Sequence, residues 1–136
     1  MTTLQLPVPF RDAIYDHARD ESPRECCGII GGKAGKTTKI HRLTNRAEGN
    51  RLYLMDDEQL FGVLKGLDER GEEPMVIYHS HPESPAYPSK TDVEMAFYPD
   101  SFYVICSLEN PAEPYIRAFT IIDEQIAEAK IEITNP

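Results

Sequence analysis

Apolar residues recur along this chain with two different periods, and each stretch of constant period marks one element. Phe10, Ala13, Ile14 and Ala18 share one face of a helix. Their spacing places it over Pro9 to Arg19, with Pro9 suited to the first turn. Cys26-Cys27-Gly28-Ile29-Ile30 is a short unbroken apolar run closed by Gly31-Gly32, which reads as a buried strand. Lys39 to Leu43 and Arg51 to Met55 read as further strands, separated by a polar loop from Asn45 to Asn50. Leu60, Val63, Leu64 and Leu67 form a stripe along a helix from Asp56 to Arg70, and Asp56 with Gln59 resembles a capping pair.

Met75-Val76-Ile77-Tyr78 is the pattern of an interior strand, ended by Pro82. A proline-rich loop from Pro82 to Pro88 leads into a short helix over Lys90 to Phe97. Phe102 to Cys106, Tyr115 to Ile122 and Ile126 to Ile133 are three β-rich closing segments. Strands and helices in this order predict an α/β (α+β) fold, a mixed sheet flanked by helices.

Composition narrows the classes. The 136 residues suit one domain, and 40% hydrophobic with 27% charged residues is ordinary for a globular protein. Nothing approaches the roughly 20 apolar residues of a membrane span, so no membrane partner is expected. The N-terminal Met1 to Pro7 has no basic segment followed by an apolar one. Three cysteines, two of them adjacent (Cys26 and Cys27), make a poor disulfide framework and suit a reducing, cytoplasmic setting. With Cys106 they read as small buried hydrophobes. The net charge of −9 weighs against nucleic-acid binding, which needs cations to displace counterions. His17 and His41 stand among polar residues and are expected at the surface.

The chemistry concentrates in His79-Ser80-His81, Ser89 and Asp92. Two histidines at i and i+2 on a strand point to the same side, so both rings can reach one ion. The residues after His81 can turn back and offer Asp92 as a third ligand. Three protein ligands leave one position of a tetrahedral zinc shell open, the arrangement of a catalytic rather than a structural site. Ser89-Lys90-Thr91-Asp92 is also a capping box, and the two readings overlap, since Ser89 can cap while Asp92 binds metal. With 4 His, 6 Ser and 9 Asp in the chain, His-x-His-x7-Ser-x2-Asp arises by chance only about three times in ten thousand. A metal-activated water also needs a base. Glu25, at the start of the Cys26 strand, is a candidate whose pKa partial burial would raise. By position alone it reads rather as a solvated loop carboxylate among Glu21 and Arg24.

Glu25 followed by His-x-His-x7-Ser-x2-Asp resembles the signature of the JAMM/MPN+ zinc metalloproteases. The likeness runs from about Phe10 to Ile122 and includes the Glu-Cys-Cys-Gly run. It implies that His79, His81 and Asp92 hold Zn2+, that Glu25 is the general acid/base, and that Ser89 hydrogen-bonds the developing oxyanion. The implied fold over residues 1–136 is a single cytidine-deaminase-like JAB/MPN sandwich.

Within that family the chain most resembles the short bacterial members, some of which release cysteine from the C-terminal glycine of a ubiquitin-like sulfur-carrier protein. The expected substrate is therefore a carrier with a C-terminal Gly-Gly tail, lying extended beside an exposed strand. Tyr78 and Tyr87 flank the motif, as groove lining or, for Tyr78, as strand core. The alternatives are a general deubiquitinase-like isopeptidase, although such relatives carry extra segments to grip two ubiquitins, and a non-catalytic MPN interaction module, which usually loses ligands that this chain keeps. A non-haem iron triad would leave Glu25 and Ser89 without a role. A DNA-repair relative with a similar His-x-His-Pro site is disfavoured by the acidic balance.

Overall fold

Strand and helix periods alternate along the chain, and the elements form accordingly. The computed structural model describes residues 3–136. Among these the order is β1 (Thr3–Pro7), α1 (Val8–Glu21), β2 (Cys27–Lys33), β3 (Lys36–Leu43), α2 (Asp57–Glu69), β4 (Glu73–His81), α3 (Lys90–Glu94), β5 (Phe102–Ser107), β6 (Tyr115–Ile122) and β7 (Gln125–Thr134). The strands join in one mixed sheet, β1-β7-β6-β5-β4-β2-β3. The β1/β7 and β4/β5 pairs are parallel and the others antiparallel. The sheet curls until its edges, β1 and β3, approach each other.

Side-chain alternation splits the core into two layers. Val76, Tyr78 and Val104 face α1 and pack with its Ile14 and Ala18. Ile77, Ile105 and Phe119 face the other way, against Leu67 of α2 and Val93 of α3. Helices thus cover both faces of the sheet, as expected. None is long and apolar enough to cross a membrane among the described residues. The three cysteines are buried and free.

Several expectations need correction. Leu4 and Leu6 alternate with polar neighbours and form a strand, β1, that the sequence reading passed over; both are fully buried. Gly31 and Gly32 do not close β2 but lie inside it, at a register shift. A Cβ on Gly32 would meet Met75 at 2.6 Å, so close strand approach explains the glycine. Arg51 to Met55 is not a strand; only Met55 forms an isolated bridge, to Asn45. Helix α3 stops at Glu94: the Ala96 N–H already bonds the Val93 carbonyl (3.3 Å) in a tighter turn, and the Tyr98 N–H goes to the Tyr103 hydroxyl, 3.0 Å away. Asp56 caps α2 through the Gln59 N–H, but the Gln59 amide pairs with Thr44 instead of reaching back.

His17 is not at the surface. It is 3% exposed beneath α1, with Nδ1 2.7 Å from the Tyr78 hydroxyl, and burial lowers its pKa to about 4. His41 is half-buried. Tyr78 is wholly core, its ring so close over Gly28 that a Cβ there would stand 2.3 Å from the hydroxyl.

Candidate metal centre

The antiparallel register of β2 on β4 builds the site. Cys27 pairs with His79, and the same register carried two residues further sets Glu25 opposite His81. Glu25, His79 and His81 therefore lie on one face of the sheet, the face covered by α2 and α3. Ser80 points the other way and fastens the strands beyond their ladder. Its Oγ accepts from the Cys26 N–H at 2.8 Å, and its own N–H donates to the Cys26 carbonyl at 3.2 Å. The loop after β4 is pinned by Ser107 Oγ donating to the Ser84 carbonyl (2.7 Å) and by the Ala86 N–H on the Tyr115 hydroxyl (3.2 Å). That loop delivers α3, and with it Asp92.

Three electron-pair donors converge. His79 Nε2 and His81 Nε2 are 3.2 Å apart, and Asp92 Oδ2 lies 3.1 and 3.0 Å from them. Ligands of a tetrahedral zinc at about 2.0–2.1 Å stand roughly 3.3–3.4 Å from one another, so the triangle fits such an ion with little adjustment. A carboxylate oxygen of Glu25 completes a group whose four donor atoms lie within 4.8 Å of each other, all on buried residues. His81 Nδ1 is 2.8 Å from the Pro85 carbonyl, an arrangement that fixes the ring and leaves Nε2 to face the centre. His79 has no partner at Nδ1 and is held by packing, stacked on Tyr53 with ring centres 4.5 Å apart.

The electrostatics follow from burial beside opposite charge. Burial lowers the pKa of His79 against the pull of Asp92. Burial alone would raise Asp92, but His79, His81 and the Ser89 N–H outweigh it and hold the carboxylate well below its usual range. Burial pushes Glu25 up to about 8; His81 opposes this and Asp92 adds to it. Glu25 is 3% exposed, and its Oε1 has no hydrogen-bond partner. The carboxylate that by position alone reads as a solvated loop group is thus buried and faces the cluster.

Ser89 and Asp92 form the capping box as well. The Asp92 N–H donates to Ser89 Oγ at 3.0 Å, and the Ser89 N–H to Asp92 Oδ2 at 2.9 Å. Cap and cluster share one carboxylate: the oxygen that closes the box is the oxygen that faces the histidines. The Ser89 hydroxyl accepts in this cap, so its own proton remains free to donate. Glu25, His81 and Ser89 line a cleft of about 500 Å³, together with Arg51, Glu83 and Lys90.

Comparison with known proteins places this arrangement. Residues 7–122 match the family described as prokaryotic homologs of the JAB domain. The chain belongs to this family. It is 33% identical over 134 residues to the CysO-cysteine peptidase of Mycobacterium tuberculosis, covering 97% of this chain and 92% of that protein. It is 38% identical over 111 residues to the desampylase of Haloferax volcanii, covering 76% and 80%. The crystal structure of a JAB1/MPN domain protein from Archaeoglobus fulgidus superimposes with a TM-score of 0.62 at 14% identity, over 96% of this chain and 98% of that one, a likeness of fold.

Two residues of this JAB domain against the site escaped the sequence reading. Tyr53, the stacking partner of His79, fell in a segment read as a strand. Asn45 fell in a polar loop, where nothing in the sequence sets it apart from Asn50. Tyr87 is half-exposed and packs edge-on against Phe119, with the Arg117 guanidinium 5.7 Å from its ring centre.

Proposed function

We propose that this chain is a zinc-dependent hydrolase that cleaves the amide following the C-terminal Gly-Gly of a ubiquitin-like or sulfur-carrier protein, releasing cysteine from a carrier–cysteine adduct. The observation that carries the reading is the convergence of His79, His81 and Asp92 on one point at the foot of a cleft, with the buried Glu25 beside them. The relatives named as peptidase and desampylase support the reaction class.

His79, His81 and Asp92 would hold the zinc. When bound, it supplies a Lewis acid that acidifies water and polarises the scissile carbonyl. Glu25 takes the proton from the attacking water and returns it to the departing nitrogen, a role suited to a carboxylate whose burial raises its pKa toward neutrality. Ser89 donates its hydroxyl proton to the carbonyl oxygen as charge develops there. The capping box holds that hydroxyl in place before substrate arrives, so little reorganisation accompanies the reaction. Ser89→Ala is expected to lower kcat by roughly 10²–10³. It should also cost about 1 kcal/mol of stability through the lost cap. Stopped assays and thermal melts on the same sample separate the two; a stability loss with native turnover would restrict Ser89 to its structural role.

The cleft also bears on the leaving group. On a chain of net charge −9, Arg51 and Lys90 place two cations at the wall near Glu25 and Ser89. A departing amino acid carries a free α-carboxylate, whereas a lysine side chain in an isopeptide does not. Because Arg51 is exposed, its contribution is put at about 1 kcal/mol, after discounting for solvent. Arg51→Ala should therefore raise KM for carrier–cysteine roughly fivefold and leave KM for the carrier–cysteine amide unchanged. Mass spectrometry of products from carrier–cysteine, carrier–lysine and an unfolded peptide tests the reading as a whole. Equal cleavage of the unfolded peptide would replace the carrier hydrolase by a general peptidase; preference for carrier–lysine would favour the isopeptidase.

A further inference from the structure

Asn45 stands outside the metal cluster, yet its side chain is committed to the cluster's surroundings. It is 3% exposed. Its Nδ2 donates to the Glu25 carbonyl at 3.0 Å and to the Leu52 carbonyl at 3.2 Å. Its Oδ1 accepts from the Ala47 and Leu54 N–H groups, both at 2.9 Å. An asparagine amide has two N–H donors and two acceptor lone pairs, and here all four are used. Arg24 reinforces the same knot by donating Nη2 to the carbonyls of Asn45 (3.0 Å) and Ala47.

Glu25 needs such a hold. It lies just before β2, beyond the ladder that begins at Cys27, so the sheet leaves its carbonyl unpaired. Its side chain has no hydrogen bond at Oε1 to fix it. The position of the carboxylate is therefore inherited from the backbone, and the bond from Asn45 is what the Glu25 carbonyl receives. The same amide gathers residues 45–54 into a compact loop, which carries Tyr53 onto the His79 ring and Arg51 onto the cleft wall.

We infer that Asn45 is a positioning residue, which holds Glu25 and the Tyr53 loop in register with the metal ligands. The inference rests on the reading of Glu25 as acid/base. Misplacement of a reacting group by about 1 Å costs on the order of 10²-fold in rate, so an anchor of this kind acts on kcat more than on binding. A plain loop staple would instead affect stability alone.

The test compares Asn45→Ala, Asn45→Asp and Gln59→Ala for kcat and KM on a carrier–cysteine adduct, with bound zinc and Tm measured on each. Gln59→Ala is the control: it breaks the neighbouring bonds to Thr44 and leaves Glu25 untouched. Asn45→Ala should lower kcat about 10–100-fold, raise KM by no more than the roughly fivefold that loss of Arg51 would cause, and retain its zinc. Asn45→Asp keeps the acceptor for the two loop amides but loses the donor to Glu25, so its kcat should fall comparably. Gln59→Ala should lower Tm and leave kcat near native. Should Asn45→Ala fail to fold, Asn45→Ser takes its place. Native kcat in the Asn45 variants, or an equal kcat loss in Gln59→Ala, would overturn the inference. Glu25→Gln, run alongside, separates the two levels: full activity there would mean that the acid/base reading itself has failed.

Discussion

Glu25→Gln is expected to bind zinc as the native chain does and to hydrolyse its substrate roughly 10²–10⁴-fold more slowly, the range that general acid–base groups contribute. The amide fills the same space and can hold a water, but it cannot take the proton or hand it on. The substitution should also change stability, with a sign fixed by the pKa. In metal-free protein, burial raises Glu25 from 4.5 to about 8. Between those values the folded state binds more protons than the unfolded one, so the native chain loses stability as pH rises through this window. Metal-free Glu25→Gln should therefore melt above the metal-free native protein at pH 8, and the gap should close below pH 4.5, where the carboxyl becomes protonated in both states. Thermal melts across that range check it. Active Glu25→Gln protein would assign the proton transfers to another group.

His81→Ala should remove tight zinc binding and, with it, turnover. The variant keeps only two of the three convergent donors, and it also loses the bond from Nδ1 to the Pro85 carbonyl that steadies the following loop. Losing a supporting hydrogen bond alone costs about 10–100-fold in metal affinity. Losing a ligand should exceed that, so the variant should emerge from purification with far less than one zinc per chain. Metal analysis beside a thermal melt checks both parts. Full zinc occupancy in His81→Ala would remove this histidine from the ligand set.

The sequence made the candidate centre legible because its residues are local and periodic. His79 and His81 two apart on a strand, and Ser89 and Asp92 three apart at a helix start, each have a spacing with direct geometric meaning. The mixed sheet and its covering helices were legible from local pattern too, since Leu67 belongs to a stripe at helical spacing and Ile29-Ile30 and Val76-Ile77 lie in short unbroken apolar runs. What stayed hidden depends on partners far along the chain. Glu25 joins the histidines only through the register of β2 on β4, and its residue type says nothing of that register. His17 reads as a surface residue until the Tyr78 hydroxyl is seen beneath it, 61 positions away. Asn45 and Tyr53 act from a loop with no period at all, where side-chain hydrogen bonds and ring stacking replace the ladder. The short alternation of Leu4 and Leu6 was present in the sequence, but its partner β7 lies at the other end of the chain.

The central claim is metal-dependent hydrolysis at the His79, His81 and Asp92 centre. Its most direct test is the release of cysteine from a Gly-Gly-tailed carrier adduct, followed by mass spectrometry, on one preparation as purified, after chelation and after zinc is restored. Active protein should hold about one zinc per chain, lose cysteine release when the metal is removed, and regain it with zinc. Undiminished cysteine release by protein shown to contain no metal would contradict it.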